Sequence, residues 1–129
     1  MIIAYDSKTG NVQRFVSKLD MPSIQIENNM IMVEPFVMVT YTTGFGKVPP
    51  LTKQFLANNR GYLRGVASSG NRNWGQGFGK AGDVIASEMF VPLILKFELS
   101  GEADDIVKFQ EGVRQLEACR IKQLSNAVG

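Results

Sequence analysis

Apolar and polar positions fall in blocks along this chain, and the period within each block separates strands from helices. Ile2–Tyr5 is a short apolar run closed by polar residues, as in a strand buried on both faces. A polar segment follows, Asp6-Ser7-Lys8-Thr9-Gly10-Asn11. Val12, Phe15, Val16 and Leu19 then recur at i, i+3, i+4 and i+7, which is one face of a helix. Residues 23–26 follow Pro22 as a weak second strand, and Asn28-Asn29 marks a turn. Residues 30–33 are apolar with no clear period. Phe36–Tyr41 predicts a third strand, entered through Pro35. Pro49 and Pro50 suit a helix start, and Leu51, Phe55 and Leu56 give that helix an apolar face. Residues 62–67 predict a fourth strand. Phe78, Ala81, Ile85 and Met89 mark a helix weakened by Gly77, Gly79 and Gly82. Residues 91–97 predict a fifth strand, and Ile106, Phe109, Val113 and Leu116 a last helix.

Strands that alternate with helices predict an α/β domain with a parallel sheet covered on both faces. One connection departs from that rule. Residues 27–35 join the second and third strands, and a helical crossover needs about 10–12 residues or more. A loop is therefore expected there. No repeat, linker or low-complexity stretch interrupts the chain, so residues 1–121 read as one domain and residues 122–129 as a frayed tail.

Composition narrows the chemistry. With 44% hydrophobic and 20% charged residues among 129, the chain can pack a core. No apolar run approaches the roughly 18–20 residues of a membrane span, and the N-terminus lacks the features of a signal peptide, so a cytoplasmic protein with no membrane partner is expected. There is one cysteine, Cys119, and no histidine. That excludes an internal disulfide, a Cys/His metal cluster and the Ser-His and Cys-His nucleophile pairs. Cys119 reads as a packing or surface thiol in the last helix. Difficult chemistry would have to come from a cofactor. The net charge of +2 comes without a basic run, so nothing favours nucleic acid.

Three segments that follow strands have unusual composition. Residues 7–11 are small, hydroxylated and open a helix, where free backbone N–H groups favour an anion such as a terminal phosphate. This segment carries neither GxxxxGK[ST] nor GxGxxG. Residues 42–46, TTGFG, set two glycines around an aromatic ring. Residues 68–75, SSGNRNWG, hold the only tryptophan beside Asn71, Arg72 and Asn73. An exposed indole on a loop suits stacking on a planar group. Each segment alone also reads plainly, as a capped turn, a glycine turn and a loop anchored by its Trp. Together they describe a site for a mononucleotide with a flat heterocycle, and FMN fits that description.

The stretches YDSKTGNVQRF (5–15), TYTTGFGKVP (40–49), LRGVASSGNRNWG (63–75) and VPLILKFELSG (91–101) resemble the flavodoxin superfamily. Within it they resemble the NrdI family, the flavodoxin-like accessory proteins of class Ib ribonucleotide reductase. The resemblance implies a doubly wound five-stranded parallel sheet in the order 2-1-3-4-5 and one noncovalent FMN. It places the phosphate on Ser7, Lys8, Thr9, Gly10, Asn11 and Val12. It places the isoalloxazine between Thr42, Thr43, Gly44, Phe45 and Gly46 on one side and Ser69, Gly70, Asn71, Arg72, Asn73, Trp74 and Gly75 on the other. The Gly44 peptide would respond to the protonation of flavin N5.

The implied role is that reduced FMN reacts with dioxygen and supplies a superoxide-type oxidant to the dimanganese small subunit of the reductase, which then forms its tyrosyl radical. The metals belong to that partner, and a separate electron donor reduces the flavin. The protein itself is expected to be a monomer that activates a partner and turns over no substrate of its own. Lys8, Lys47 and Arg72 lie in or beside the loops, where cations favour an anionic reduced flavin. A general flavodoxin-type electron carrier and a flavin-free protein-binding module remain the alternatives.

Overall fold

The structure, a computed structural model, describes the backbone of residues 1–128 and the side chains of residues 1–119. Its strands are β1 (Ile2–Tyr5), β2 (Ser23–Gln25), β3 (Phe36–Tyr41), β4 (Leu63–Gly70) and β5 (Leu93–Glu98). Its helices are α1 (Asn11–Ser17), α2 (Pro50–Asn58), α3 (Lys80–Met89) and α4 (Ala103–Val128). The strands form one sheet in the order β2-β1-β3-β4-β5, and every pairing is parallel. The stretch 122–129, expected to fray, lies outside the residues whose side chains are described. Among the described residues no helix is long and apolar enough to cross a membrane.

Each face of the sheet carries its own core. On one face Ile3, Val37, Val39, Ala67 and Phe97 meet Val12, Phe15 and Val16 of α1 and Phe109 and Val113 of α4. Phe15 stacks on Phe97 with centroids 3.9 Å apart, and Phe109 meets Phe15 edge-on at 5.6 Å. On the other face Ala4, Phe36, Met38, Leu63 and Val66 meet Phe55 and Leu56 of α2 and Ile85 of α3. Alternate residues of β1 and β3 thus serve opposite cores, as the period-two geometry of a strand requires. β3 lies between two partners and under both helical layers, and the side chains from Phe36 to Val39 are fully buried.

No helix joins β2 to β3, as the short connection required. Ile26 and Met32 of this stretch enter the second core, while Ile31 and Val33 stay exposed. The backbone is held by one buried side chain at the end of α2. Asn59 Oδ1 accepts from Met32 N at 2.7 Å, and its Nδ2 donates to Met30 O at 3.0 Å and Phe55 O at 2.8 Å. One amide therefore closes α2 and satisfies the link as well.

β4 runs further than the apolar pattern suggested. Ser68, Ser69 and Gly70 belong to the strand rather than to the loop after it, pairing with β3 and β5. Their polar side chains are satisfied inside: Ser68 Oγ donates to Gly79 O and Ser69 Oγ to Leu99 O, both at 2.6 Å. Gly82, which weakens α3 as an isolated helix, lets that helix approach β4. A Cβ there would lie 2.8 Å from Ser68 Oγ and 2.9 Å from Leu93.

Removal of the Asn59 amide leaves a buried backbone donor and two acceptors without partners. Asn59→Ala is expected to lower stability by about 2–3 kcal/mol, read as a lower urea midpoint at unchanged slope. An unchanged midpoint would mean that Ile26 and Met32 hold the link by packing alone.

Candidate functional site

The loops after β1, β3 and β4 and the turn after β5 meet at the carboxyl edge of the sheet, around a cleft of about 310 Å³. β1 has β2 on one side and β3 on the other, so strand order reverses there and the chains leaving β1 and β3 diverge.

The first loop is built around Gly10, which caps α1 at φ +90°. A Cβ at Gly10 would be strained and would also lie 2.7 Å from Arg14 Nη1. Ser7 Oγ accepts from Gln13 N at 3.2 Å and so caps the helix from outside. Its own hydroxyl proton remains available. The N–H groups of Asn11 and Val12 precede the first helical hydrogen bond and have no partner within the helix. Asn11 Oδ1 accepts from Arg14 Nη2 at 2.7 Å and from Ser100 Oγ at 2.9 Å, which fixes the amide with its NH2 toward Thr9 Oγ1 at 3.4 Å. Ser7, Lys8, Thr9, Asn11 and Val12 all line the cleft.

The second loop is pinned by two backbone hydrogen bonds between Thr43 and Lys47, at 2.9 and 2.8 Å. The turn between them needs positive φ at Gly44 (+54°) and Gly46 (+88°). Thr42, Thr43 and Gly44 face the cleft. Gly46 does not. It lies in a separate groove with Lys47, Lys53, Ile85 and Met89. Phe45 is 89% exposed at the rim, with its ring 5.5 Å from that of Trp74.

The third segment folds as a tight helical stretch, Arg72–Gly77, kinked at Gly75. Ser69, Gly70, Asn71 and Trp74 line the cleft, and Trp74 remains 48% exposed. Asn71 Oδ1 accepts from Asn73 N at 2.9 Å, so its NH2 group is left over. Arg72, Asn73 and Gly75 are not brought to the cleft. The Arg72 guanidinium lies 5.5 Å above the Phe78 ring, and the backbone N–H of Arg72 donates to Glu98 Oε2 at 3.0 Å. Of the three cations singled out in the sequence, only Lys8 lines the cleft.

Tyr41, Gly77 and Leu99 also line it and were not expected there. Tyr41 had a signal: it is the last residue of a buried strand and carries a polar tip. Below it runs a buried polar chain. Thr52 Oγ1 donates to Asp6 Oδ2 at 2.7 Å, and its only proton is thereby used, so Thr40 donates to Thr52 across 2.7 Å. Burial pushes the Asp6 carboxyl above its usual range, against the hydrogen bonds from Thr52. Burial, and then the Asp6 charge, push the Tyr41 phenol up, so at neutral pH it stays an uncharged donor.

Residues 3–111 match the family model described as NrdI Flavodoxin like. This chain belongs to the NrdI flavodoxin-like family. It is 48% identical over 115 residues to Protein NrdI of Bacillus licheniformis, covering 88% of each chain. It is 44% identical over 119 residues to the SPbeta prophage-derived protein NrdI of Bacillus subtilis, covering 89% of this chain and 92% of that one. Among solved structures, a short-chain flavodoxin associated with a non-canonical PDU bacterial microcompartment superposes with a TM-score of 0.67. That likeness spans 88% of this chain and 95% of the other at 20% identity, and it speaks to the fold alone. The flavodoxin-like topology and the family thus agree.

A carboxyl group whose folded pKa lies above its unfolded value loses stability as pH rises from the unfolded value through the folded one. Asp6 is such a group, so its ionised form costs stability at neutral pH. Asp6→Asn keeps an acceptor for Thr52 and is expected to raise the melting temperature at pH 7, with the gain shrinking toward pH 3. A gain of equal size at both pH values would show that charge is not its cause.

Proposed function

We propose that this chain binds one FMN in the cleft and acts as an accessory flavoprotein to the small subunit of class Ib ribonucleotide reductase. The observation that carries the reading is the polarity of the cleft. One end is a hydroxyl- and amide-rich helix start, and the other is an indole left half exposed. Membership of the NrdI family supports the same assignment.

The residues present fit this cofactor on three counts. At the phosphate end, Ser7, Thr9, the Asn11 amide and the N–H groups of Asn11 and Val12 offer donors, and Lys8 adds a positive charge. At the ring end, Trp74 and the Thr42-Thr43-Gly44 segment bound a slot suited to a planar group. Between them the uncharged Tyr41 hydroxyl and the unused Asn71 amide give polar contacts.

When bound and reduced by a separate electron donor, FMN would supply the electron that converts dioxygen into a superoxide-type oxidant for the dimanganese site of the partner. The chain's own residues orient it and manage one proton. The peptide between Gly44 and Phe45 takes no part in the bonds that close its loop. With no Cβ at Gly44, it is free to turn over and offer either the Gly44 carbonyl or the Phe45 N–H to ring atom N5. The carbonyl would accept from a protonated N5, and the N–H would donate to a bare one. Lys8, at the phosphate end, adds a positive potential that favours negative charge in the cleft.

Incubation with FMN and removal of the excess should leave a yellow protein with about one flavin per chain. Trp74→Ala should weaken binding by about 1–3 kcal/mol, the scale of aromatic stacking on a base. A protein that stays colourless would end this reading. The reduced protein, added with oxygen to a manganese-loaded small subunit, should generate the tyrosyl radical by electron paramagnetic resonance. A flavin-loaded protein that yields no radical would leave a general electron carrier.

A further inference from the structure

The turn that follows β5 breaks a local rule. Gly101 N donates to Glu98 O at 2.9 Å, so residues 98–101 form a turn with Leu99 at its first corner. Leu99 sits there at φ +54°, the left-handed region. Turns with positive φ at that corner select Gly, Asn or Asp, because a branched side chain is strained there. The strain is held by several bonds. Leu99 O accepts from Ser69 Oγ at 2.6 Å, Leu99 N donates to Gly70 O at 3.0 Å, and Glu98 Oε2 accepts from Arg72 N at 3.0 Å.

Stability gives no reason for a leucine here, since it is 49% exposed and lies outside both cores. Its place does give one. Leu99 lines the cleft that Trp74 also lines, and it lines a second, polar depression with Glu98, Glu102 and Asp105. It stands on the ridge between the two. A residue that is strained, half exposed and held at the edge of a binding cleft is expected to serve the ligand rather than the fold.

We propose that Leu99 is a positioning residue for the flavin ring. Its side chain forms an apolar wall of the ring end and separates it from the water and carboxylates of the neighbouring depression. This rests on the FMN reading above. The contact is with the ring, so it serves riboflavin and FMN alike, whereas the phosphate contacts of the first loop serve FMN alone.

The test compares Leu99→Asn and Leu99→Gly with the unaltered protein. Both residues accept positive φ, so the denaturation midpoint of each flavin-free variant should equal or exceed that of the parent. Dissociation constants for FMN and riboflavin, read from quenching of flavin fluorescence, should both rise about fivefold to tenfold, by the same factor, as loss of part of a buried leucine contact implies. Variants that bind FMN as tightly as the parent overturn the proposal. So does a loss confined to FMN, since Ser100 bonds Asn11 and such a loss would mean that the turn acts on the phosphate loop. A fall in both flavin-free midpoints overturns the premise of strain. If the unaltered protein takes up neither flavin, the FMN reading itself fails, and that result is distinct from the others.

Discussion

β1 is hydrogen-bonded to β2 on one side and β3 on the other, and this pairing governs the rest of the molecule. A chain leaving β1 for β2 must cover one face of the sheet, and a chain leaving β3 for β4 must cover the other. α1 and α2 accordingly pack into different cores. Their first turns part company at the carboxyl edge, and the cleft opens between them. The cleft is thus a consequence of strand order, and the loops decide what it accepts.

The floor of that gap is stiff. Asp6, Thr52 and Thr40 tie the exits of β1 and β3 to the start of α2 through buried hydrogen bonds. On the far side, the Phe15–Phe97 stack joins α1 to β5, and Gly101 closes on it so tightly that a Cβ would lie 2.7 Å from the Phe15 ring. Asn11, Arg14 and Ser100 complete the connection between the first loop and the turn after β5. The loops can differ in chemistry because the elements that carry them are fixed relative to one another.

Much of this was legible in the chain. Period-two and helical patterns marked the strands and helices, and the length of residues 27–35 was enough to rule out a helix between β2 and β3. What hid was polar structure inside apolar elements. Ser68 and Ser69 read as loop because their hydroxyls look solvent-seeking, and only the fold supplies the Gly79 and Leu99 carbonyls that satisfy them. Arg72 read as facing the cleft, but its guanidinium lies over the Phe78 ring, while its backbone N–H is held by Glu98. Leu99 carries no composition that marks a cleft, and Tyr41 carries only a polar tip at the end of a buried strand. They reach it because two strands end at the same height, which is a property of register and not of local sequence.

The missing helix between β2 and β3 has a further effect at the outer edge of the sheet. β2 is an edge strand with no neighbour beyond β1, and all of its residues are exposed. An open edge can recruit a strand from another molecule and begin aggregation. Here the edge is only Ser23–Gln25, with Pro22 immediately before it. Three residues offer too short a row of free donors and acceptors to hold a foreign strand. The shortness of β2 thus leaves little open edge for a foreign strand to pair with.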